Sequence, residues 1–259
     1  MRRAWIVAAA LAAVLGCHSS DGADQDVCPA TSATTLTLPA HTPFQMLVFY
    51  RTTGYHHSSI TSGIAAVHQL GADNTFTIEA TDDPIVFTDG NLARFAVVMF
   101  LSTTGDVLDT AQQSAFERYI RAGHGFVGVH SASDTEYDWP WYHALLGATF
   151  MSHPALQQGT VIVVDATQAS TQTLPSPWVR SDEWYNFTGQ PSGVTVLARV
   201  DESTYSGGNM GATHPIAWQH EYDGGRAWYT AMGHPACSYS EGPFLNHLLG
   251  GIGWAARIY

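Results

Sequence analysis

From residue 44 onward, short unbroken apolar runs alternate with stretches whose apolar positions recur every three or four residues. Gln45–Arg51 (QMLVFYR) reads as a first strand, and Ser58–Leu70 carries Ile60, Ile64, Val67 and Leu70 at near-helical spacing. Phe76–Ala80 predicts a second strand, and Phe95–Leu101 (FAVVMFL) a third that is apolar on both faces. Thr110–Ala122 predicts a helix ending before Gly123, and Phe126–His130 follows directly as a strand. Such alternation implies right-handed crossovers and a mainly parallel sheet covered on both faces. A Trp139-Pro140-Trp141 corner then leads into a short helix over Tyr142–Leu146.

Beyond Gly147 the pattern changes to strands at Thr160–Asp165, Val194–Val200, Pro215–Tyr222 and Arg226–Met232. Asp223-Gly224-Gly225 between the last two predicts an antiparallel hairpin. Phe244–Ala256 closes the chain as an amphipathic helix with Leu245, Leu248, Leu249, Ile252 and Trp254. No internal repeat interrupts this order, so the second half elaborates one α/β domain.

The N-terminus departs from the domain pattern. Arg2 and Arg3, an apolar run from Ala4 to Leu15 and the sequence Val14-Leu15-Gly16-Cys17 have the order of a bacterial export signal ending in a lipobox. The run is too short to span a membrane. We expect residues 1–17 to be a lipoprotein-type signal with Cys17 as the lipidation site, residues 18–42 a polar tether and residues 43–259 one folded domain. The expected location is the periplasm or cell surface through that lipid anchor, with plain secretion as the alternative. Export favours disulfides, and Cys28 and Cys237 are the remaining cysteines. They can pair, or be two unrelated thiols; their number and spacing do not suit a multi-cysteine zinc site.

Charge narrows the partners. The 259 residues hold 10 Lys+Arg against 22 Asp+Glu, for a formal net charge of −12, and every basic residue is arginine. No lysine means no Schiff-base nucleophile, and the acidic balance opposes nucleic acid and anionic membrane surfaces. A small neutral or cationic substrate is easier to hold.

Candidate chemistry gathers where strands end. Gly125–Tyr142 (GFVGVHSASDTEYDWPWY) breaks from an apolar strand at His130 into small polar residues, acids and aromatics. In open α/β sheets ligands collect beyond the carboxyl ends of such strands. Arg51–His57 (RTTGYHH), Arg180–Asn186 (RSDEWYN), His214, His220-Glu221 and His234 are further clusters of the same kind. His56 and His57 precede a helix start that Ser58 can cap. Asp134, Asp182 and Glu183 are the candidate acids, each with a solvated loop carboxylate as the plainer reading. Glu183 is preferred as proton donor or base, because Trp184 and Tyr185 beside it can desolvate it and raise its pKa. Tyr137, Trp139, Trp141, Trp184, Tyr185 and Tyr239 suit stacking on a pyranose ring, or else form an aromatic core. No cofactor motif is present; a divalent metal held by His130, His214, His220 and His234 with a carboxylate is the one option, without an H-E-x-x-H signature.

Across nearly all of Phe44–Ala256 the segments LVFYRTTGYHHSSI, FERYIRAGHGFVGVHSASDTEYDWPWYHALLGATFMSHP, RSDEWYNF and HPIAWQHEYDGGRAWYTAMGHPACSYSEGPFLNHLLGGI resemble the ThuA-like (trehalose-utilisation) domain. The resemblance implies a class I glutamine amidotransferase-like, flavodoxin-like three-layer sandwich with a mainly parallel central sheet and an added antiparallel hairpin. It also implies a link to carbohydrate metabolism. Gly128-Val129-His130 resembles the amidotransferase nucleophile turn with histidine in place of cysteine, and His234-Pro235 resembles the amidotransferase His-Pro, so glutamine amidotransfer is excluded. The chain departs from the ThuA-like pattern at His56, Gln219 and Cys237, where arginine, cysteine and a small residue are common.

The leading expectation is an exported hydrolase or isomerase acting on a sugar or keto-glycoside. His57, His130, Asp134, Glu183 and His234 are its catalytic candidates, with Asp134 and Glu183 as paired carboxyls. Tyr137, Trp139, Trp184, Tyr185, His214 and Tyr239 are its substrate-binding candidates. A sugar-binding module without turnover and a metal-dependent hydrolase are the rival readings.

Overall fold

The apolar runs become the middle of a nine-stranded mixed sheet in a computed structural model that describes residues 35–259. The signal, Cys17 and Cys28 lie outside the described residues. Strand β1 (Phe44–Phe49), helix α1 (Ile60–Asp73), β2 (Phe76–Thr81), the short α2 (Asp89–Leu92), β3 (Val97–Leu101), α3 (Thr110–Arg121) and β4 (Gly125–Val129) come first. They are followed by α4 (Pro140–Leu146), β5 (Phe150–Ser152), β6 (Gln157–Val163), β7 (Trp178–Asp182), β8 (Asn186–Phe187), β9 (Thr195–Asp201), β10 (Pro215–Tyr222), β11 (Gly225–Thr230) and α5 (Gly242–Ala255). The sheet order is β2-β1-β3-β4-β11-β10-β9-β6-β7, and β5 and β8 form a separate pair.

The first five strands in that order are mutually parallel, the doubly wound arrangement that the strand-helix alternation predicts. Every residue of β3 and β4 is buried, because helices cover both faces. Phe100 of β3 meets Phe116 of α3 and Tyr142 of α4, whereas the next residue, Leu101, lies under Gly63 of α1. Alternate residues of one strand therefore face two different helical layers, with α5 on the α1 side. No helix among the described residues is long and apolar enough to cross a membrane.

The expected hairpin exists as β10 and β11, but it is only the start of an antiparallel arm of β10, β9, β6 and β7. Alternating directions along that arm make β7 run the same way as β11. The arm curls, since the end of β7 returns to the turn after β11: the Asp182 carboxylate accepts from the N–H of Gly233 at 3.0 Å and of His234 at 3.1 Å. Strand β7 has no counterpart in the sequence-based elements. Its buried residues are Trp178, Arg180 and Asp182, while Val179 points out, so the usual inside-outside code is inverted.

The segment read as tether is bound to the domain by its last residues. Leu36 is buried and its N–H donates to Asn246 Oδ1 at 2.9 Å, and the Leu38 N–H donates to Asn74 Oδ1 at 2.9 Å. Cys237 is disulfide-bonded, and the expected partner, Cys28, lies outside the described residues.

Candidate functional site

Four loops leave the same edge of the sheet, after β1, β4, β7 and β11, and each carries one member of a cluster: His57, His130, Glu183 and His234. One nitrogen or oxygen from each lies within 4.8 Å of the others. His130 ends β4 directly and holds φ at 52°, a left-handed backbone unusual for a residue with a Cβ. Such strain concentrates where a side chain must be aimed. The neighbouring strand β11 holds that turn, with Tyr229 Oη donating to the His130 carbonyl at 2.8 Å. Gly233, at φ 115°, turns the chain after β11 so that His234 points back. A Cβ at Gly233 would come within 2.9 Å of Tyr239 Oη, which requires glycine there.

Hydrogen bonds orient each ring. His130 Nδ1 donates to the Ala231 carbonyl at 2.8 Å, leaving Nε2 to face the cluster. That Nε2 lies 3.2 Å from His57 Nε2, 2.9 Å from Tyr185 Oη and 3.6 Å from Glu183 Oε2. His57 Nδ1 is 3.3 Å from Ser131 Oγ, and His234 Nδ1 is 2.9 Å from Glu183 Oε2. On the outer side, His153 Nδ1 lies 3.4 Å from Glu183 Oε1.

Asp182 supports this arrangement from below. Its carboxylate accepts from the Glu183 N–H at 3.0 Å as well as from Gly233 and His234, so one buried group sets the backbone of two cluster residues. Arg180 Nη2 sits 3.2 Å from Asp182 and Nη1 3.3 Å from Glu241, with its guanidinium over the rings of Trp178 and Phe244. Sequence reasoning ranked Asp182 only as a candidate acid and gave Arg180 no role.

The acid predictions change places. Burial would raise the Glu183 carboxyl, but the adjoining imidazoles of His130 and His234 together outweigh it and hold the group below the usual carboxylate range. The expected rise beside Trp184 and Tyr185 is therefore corrected: Trp184 turns away, its Nε1 donating to the Gln157 carbonyl at 3.1 Å. Asp134 is the carboxyl pushed upward, by burial, against a hydrogen bond from Tyr137 Oη at 2.5 Å and the nearby imidazoles of His130 and His153. His57 is pushed down to about 2, mainly by burial and then by the adjoining His130 and His234.

The substrate-binding candidates divide. Tyr185 lies against His130 with ring centroids 4.4 Å apart, and Tyr137 stands at the rim through Asp134. Tyr239 is buried behind Gly233, against Phe244. Trp139 stacks on Trp141 and Tyr142 and donates to Glu117, in the layer of α3 and α4. His214 is not in the cluster; its Nε2 donates to the Tyr185 carbonyl at 2.8 Å, and its Nδ1 faces Glu202 at 2.8 Å. His220 Nε2 donates to the Leu145 carbonyl at 2.7 Å. The set of His130, His214, His220 and His234 as joint metal ligands is thus corrected, since two of its imidazoles are occupied by backbone carbonyls elsewhere. Tyr55, exposed and edge-on to His57 at 4.8 Å, and His153 complete the mouth; neither was singled out, because isolated loop aromatics and histidines carry no periodic signal.

Solved structures share this fold. A ThuA-like protein from Bacteroides uniformis superposes with a TM-score of 0.71 at 23% identity, covering 84% of this chain and 93% of that one. A ThuA-like protein from Parabacteroides merdae gives 0.67 at 16% identity, with 83% and 90% covered. A β-galactosidase from Bacillus circulans gives 0.53 at 13% identity over 82% of this chain and 31% of its own, a likeness of fold alone. No curated protein matches in sequence. The sequence model described as trehalose utilisation matches residues 45–255, nearly the whole sheet and all four loops of the cluster, and the chain belongs to the ThuA family.

Proposed function

We propose that this protein is an enzyme of carbohydrate metabolism, a hydrolase or isomerase acting on a sugar or keto-glycoside, with its reaction centre at His57, His130, Glu183 and His234. The observation that carries this reading is the convergence of three imidazoles and one carboxylate where four loops meet. Holding so many titratable groups together in a partly dry site costs stability, and sugar hydroxyls alone do not require it.

The surroundings fit a polyhydroxylated substrate with one reacting carbon. Tyr55 and Tyr137 offer exposed ring faces beside the cluster, and Asp134, Tyr185 and His153 offer polar groups for hydroxyls. Asp134, with its raised pKa, is suited to give a proton to a departing or rearranging oxygen. Glu183, held ionised, is suited to the opposite task of drawing a proton from water or from carbon next to a carbonyl. Tyr185 Oη supplies a neutral donor for an oxygen that gains charge.

The test is product formation. Incubation with disaccharides and their keto derivatives, followed by mass spectrometry, should yield product from wild type. His130→Ala and Glu183→Gln should lower turnover by at least a hundredfold. Ligand-induced thermal stabilisation with no product from any sugar would replace this reading with a binding module, and unchanged turnover in both variants would move the reaction centre elsewhere.

A further inference from the structure

We infer that His57 Nε2, His130 Nε2, His234 Nδ1 and Glu183 Oε2 form a binding site for one divalent first-row transition ion. The inference deepens the enzymatic reading and rests on it only for the substrate; ion binding is measurable without any sugar.

Donor geometry comes first. In a tetrahedral site with bonds of about 2.05 Å, neighbouring ligand atoms stand roughly 3.3 Å apart. The cluster contains separations of 2.9 Å (His234 to Glu183), 3.2 Å (His57 to His130) and 3.6 Å (His130 to Glu183). One donor atom from each of the four residues falls within 4.8 Å of the others, which allows a somewhat wider set with room for a water or a substrate oxygen.

Second, the rings are oriented as ligands. Metal-binding histidines usually donate their other ring N–H to a carbonyl, a hydroxyl or a carboxylate. His130 does so through Nδ1 to the Ala231 carbonyl at 2.8 Å, and His57 Nδ1 faces Ser131 Oγ at 3.3 Å. With Nδ1 of His130 carrying the proton, its Nε2 faces inward as an acceptor, 2.9 Å from Tyr185 Oη and next to the Glu183 carboxylate, so an ion bound there takes the place of the tyrosine's hydrogen bond. An N–H···N bond between His57 and His130 accounts for the 3.2 Å contact by itself. It does not account for a carboxylate oxygen 3.6 Å from the same nitrogen and a third imidazole beside it. A cation in the middle is a partner that all four donors can share.

Third, the ligands are held from behind. Asp182 binds the backbone N–H of Glu183 and of His234, and is itself paired with the buried Arg180. The site is thus built before any ion arrives, and no ligand comes from a segment that must move far.

The donor set names the class of ion. Three imidazoles and one carboxylate suit zinc, cobalt, manganese or iron(II) and are a poor match for magnesium or calcium, which take oxygen ligands. A bound ion would polarise a sugar carbonyl or hydroxyl in the open position. Proton transfer would then fall to Asp134 and Tyr185.

The experiment uses the full chain, stripped with a chelator and dialysed, titrated with zinc by calorimetry and with cobalt(II) by visible absorption. The expected result is one ion per chain with micromolar or tighter affinity, and cobalt bands of a low-coordinate nitrogen-oxygen site. His130→Ala and Glu183→Gln, each checked for native circular dichroism, should weaken binding tenfold or more. His220→Gln, which alters an imidazole bound to a backbone carbonyl, should bind as wild type does. Stoichiometry well below one, or equal affinity in wild type and Glu183→Gln, overturns the inference. One tightly bound ion with no product from any sugar supports the inference and removes that reading.

Discussion

Replacing Asp182 by asparagine should destabilise the fold and loosen the cluster together. Asp182 is wholly buried and faces four donors: Arg180 Nη2 at 3.2 Å and the N–H groups of Glu183 at 3.0 Å, Gly233 at 3.0 Å and His234 at 3.1 Å. Its Oδ2 serves Arg180 and Gly233, and its Oδ1 serves Glu183 and His234. Asparagine keeps one acceptor and turns the other into a donor, so either orientation leaves two donors facing an amide NH2. Each buried donor left unsatisfied costs about 1–3 kcal/mol. Arg180 retains Glu241 as a partner at 3.3 Å, so its charge is not stranded. The expected loss is about 3–5 kcal/mol, in the range for a broken buried pair. In a domain of this size that is roughly a 10 °C fall in Tm. Thermal and urea unfolding of wild type and Asp182→Asn measure it, with Asp89→Asn, from the exposed Asp89–Arg118 pair, as a control whose Tm should not move. Zinc affinity should fall at least tenfold in Asp182→Asn at a temperature where it is folded. A Tm within about 2 °C of wild type, or zinc affinity unchanged in a variant that is clearly destabilised, would refute the hub assigned to Asp182.

Three other outcomes follow from particular residues. Burial depresses His247 to about 4, its Nδ1 donating to the Ser170 carbonyl at 2.7 Å. The unfolded chain therefore takes up a proton near pH 6.5 that the folded chain refuses until about 4. Stability is fully present above pH 6.5 and falls by roughly 3 kcal/mol as pH drops through that window. His247→Asn should flatten this part of the urea-stability profile, and parallel profiles for the two proteins would contradict it. Gly233→Ala should cost about 1–3 kcal/mol through backbone strain and weaken zinc binding by displacing His234; a Tm and an affinity equal to wild type would show that the turn tolerates a Cβ. Tyr137→Phe removes the hydrogen bond that lowers the Asp134 pKa, so the alkaline limb of the pH–turnover profile should move to higher pH. A limb that stays in place would separate Asp134 from proton donation.

The parallel half of the sheet was legible because its strands are apolar on both faces and separated by helical spacing or glycine. The antiparallel arm was legible only in part. Strand β7 hides Arg180 and Asp182 inward and shows Val179 to solvent, and no period-two hydrophobic pattern survives that inversion. The same inversion explains the site. His57, His130, Glu183 and His234 stand out as polar residues just after strands, but that Glu183 meets His234 depends on the curl of the arm, which is a property of the whole sheet. Aromatic residues near acids in sequence were a poor guide: Trp139 and Trp184 serve separate cores, because one lies on the α3 and α4 layer and the other packs on Gly159 of β6. His214 and His220 sit on or beside β10, and their carbonyl partners, Tyr185 and Leu145, are distant in sequence.

The most direct measurement is a crystal of the protein soaked with zinc and a keto-disaccharide, with anomalous data collected at the zinc edge. The account predicts one anomalous peak enclosed by His57, His130, Glu183 and His234, with a sugar oxygen in the open position and the sugar between Tyr55 and Tyr137. A zinc-free cluster with the sugar bound elsewhere, such as in the cavity of about 350 Å³ lined by Leu36, Leu70 and Leu245, would contradict it.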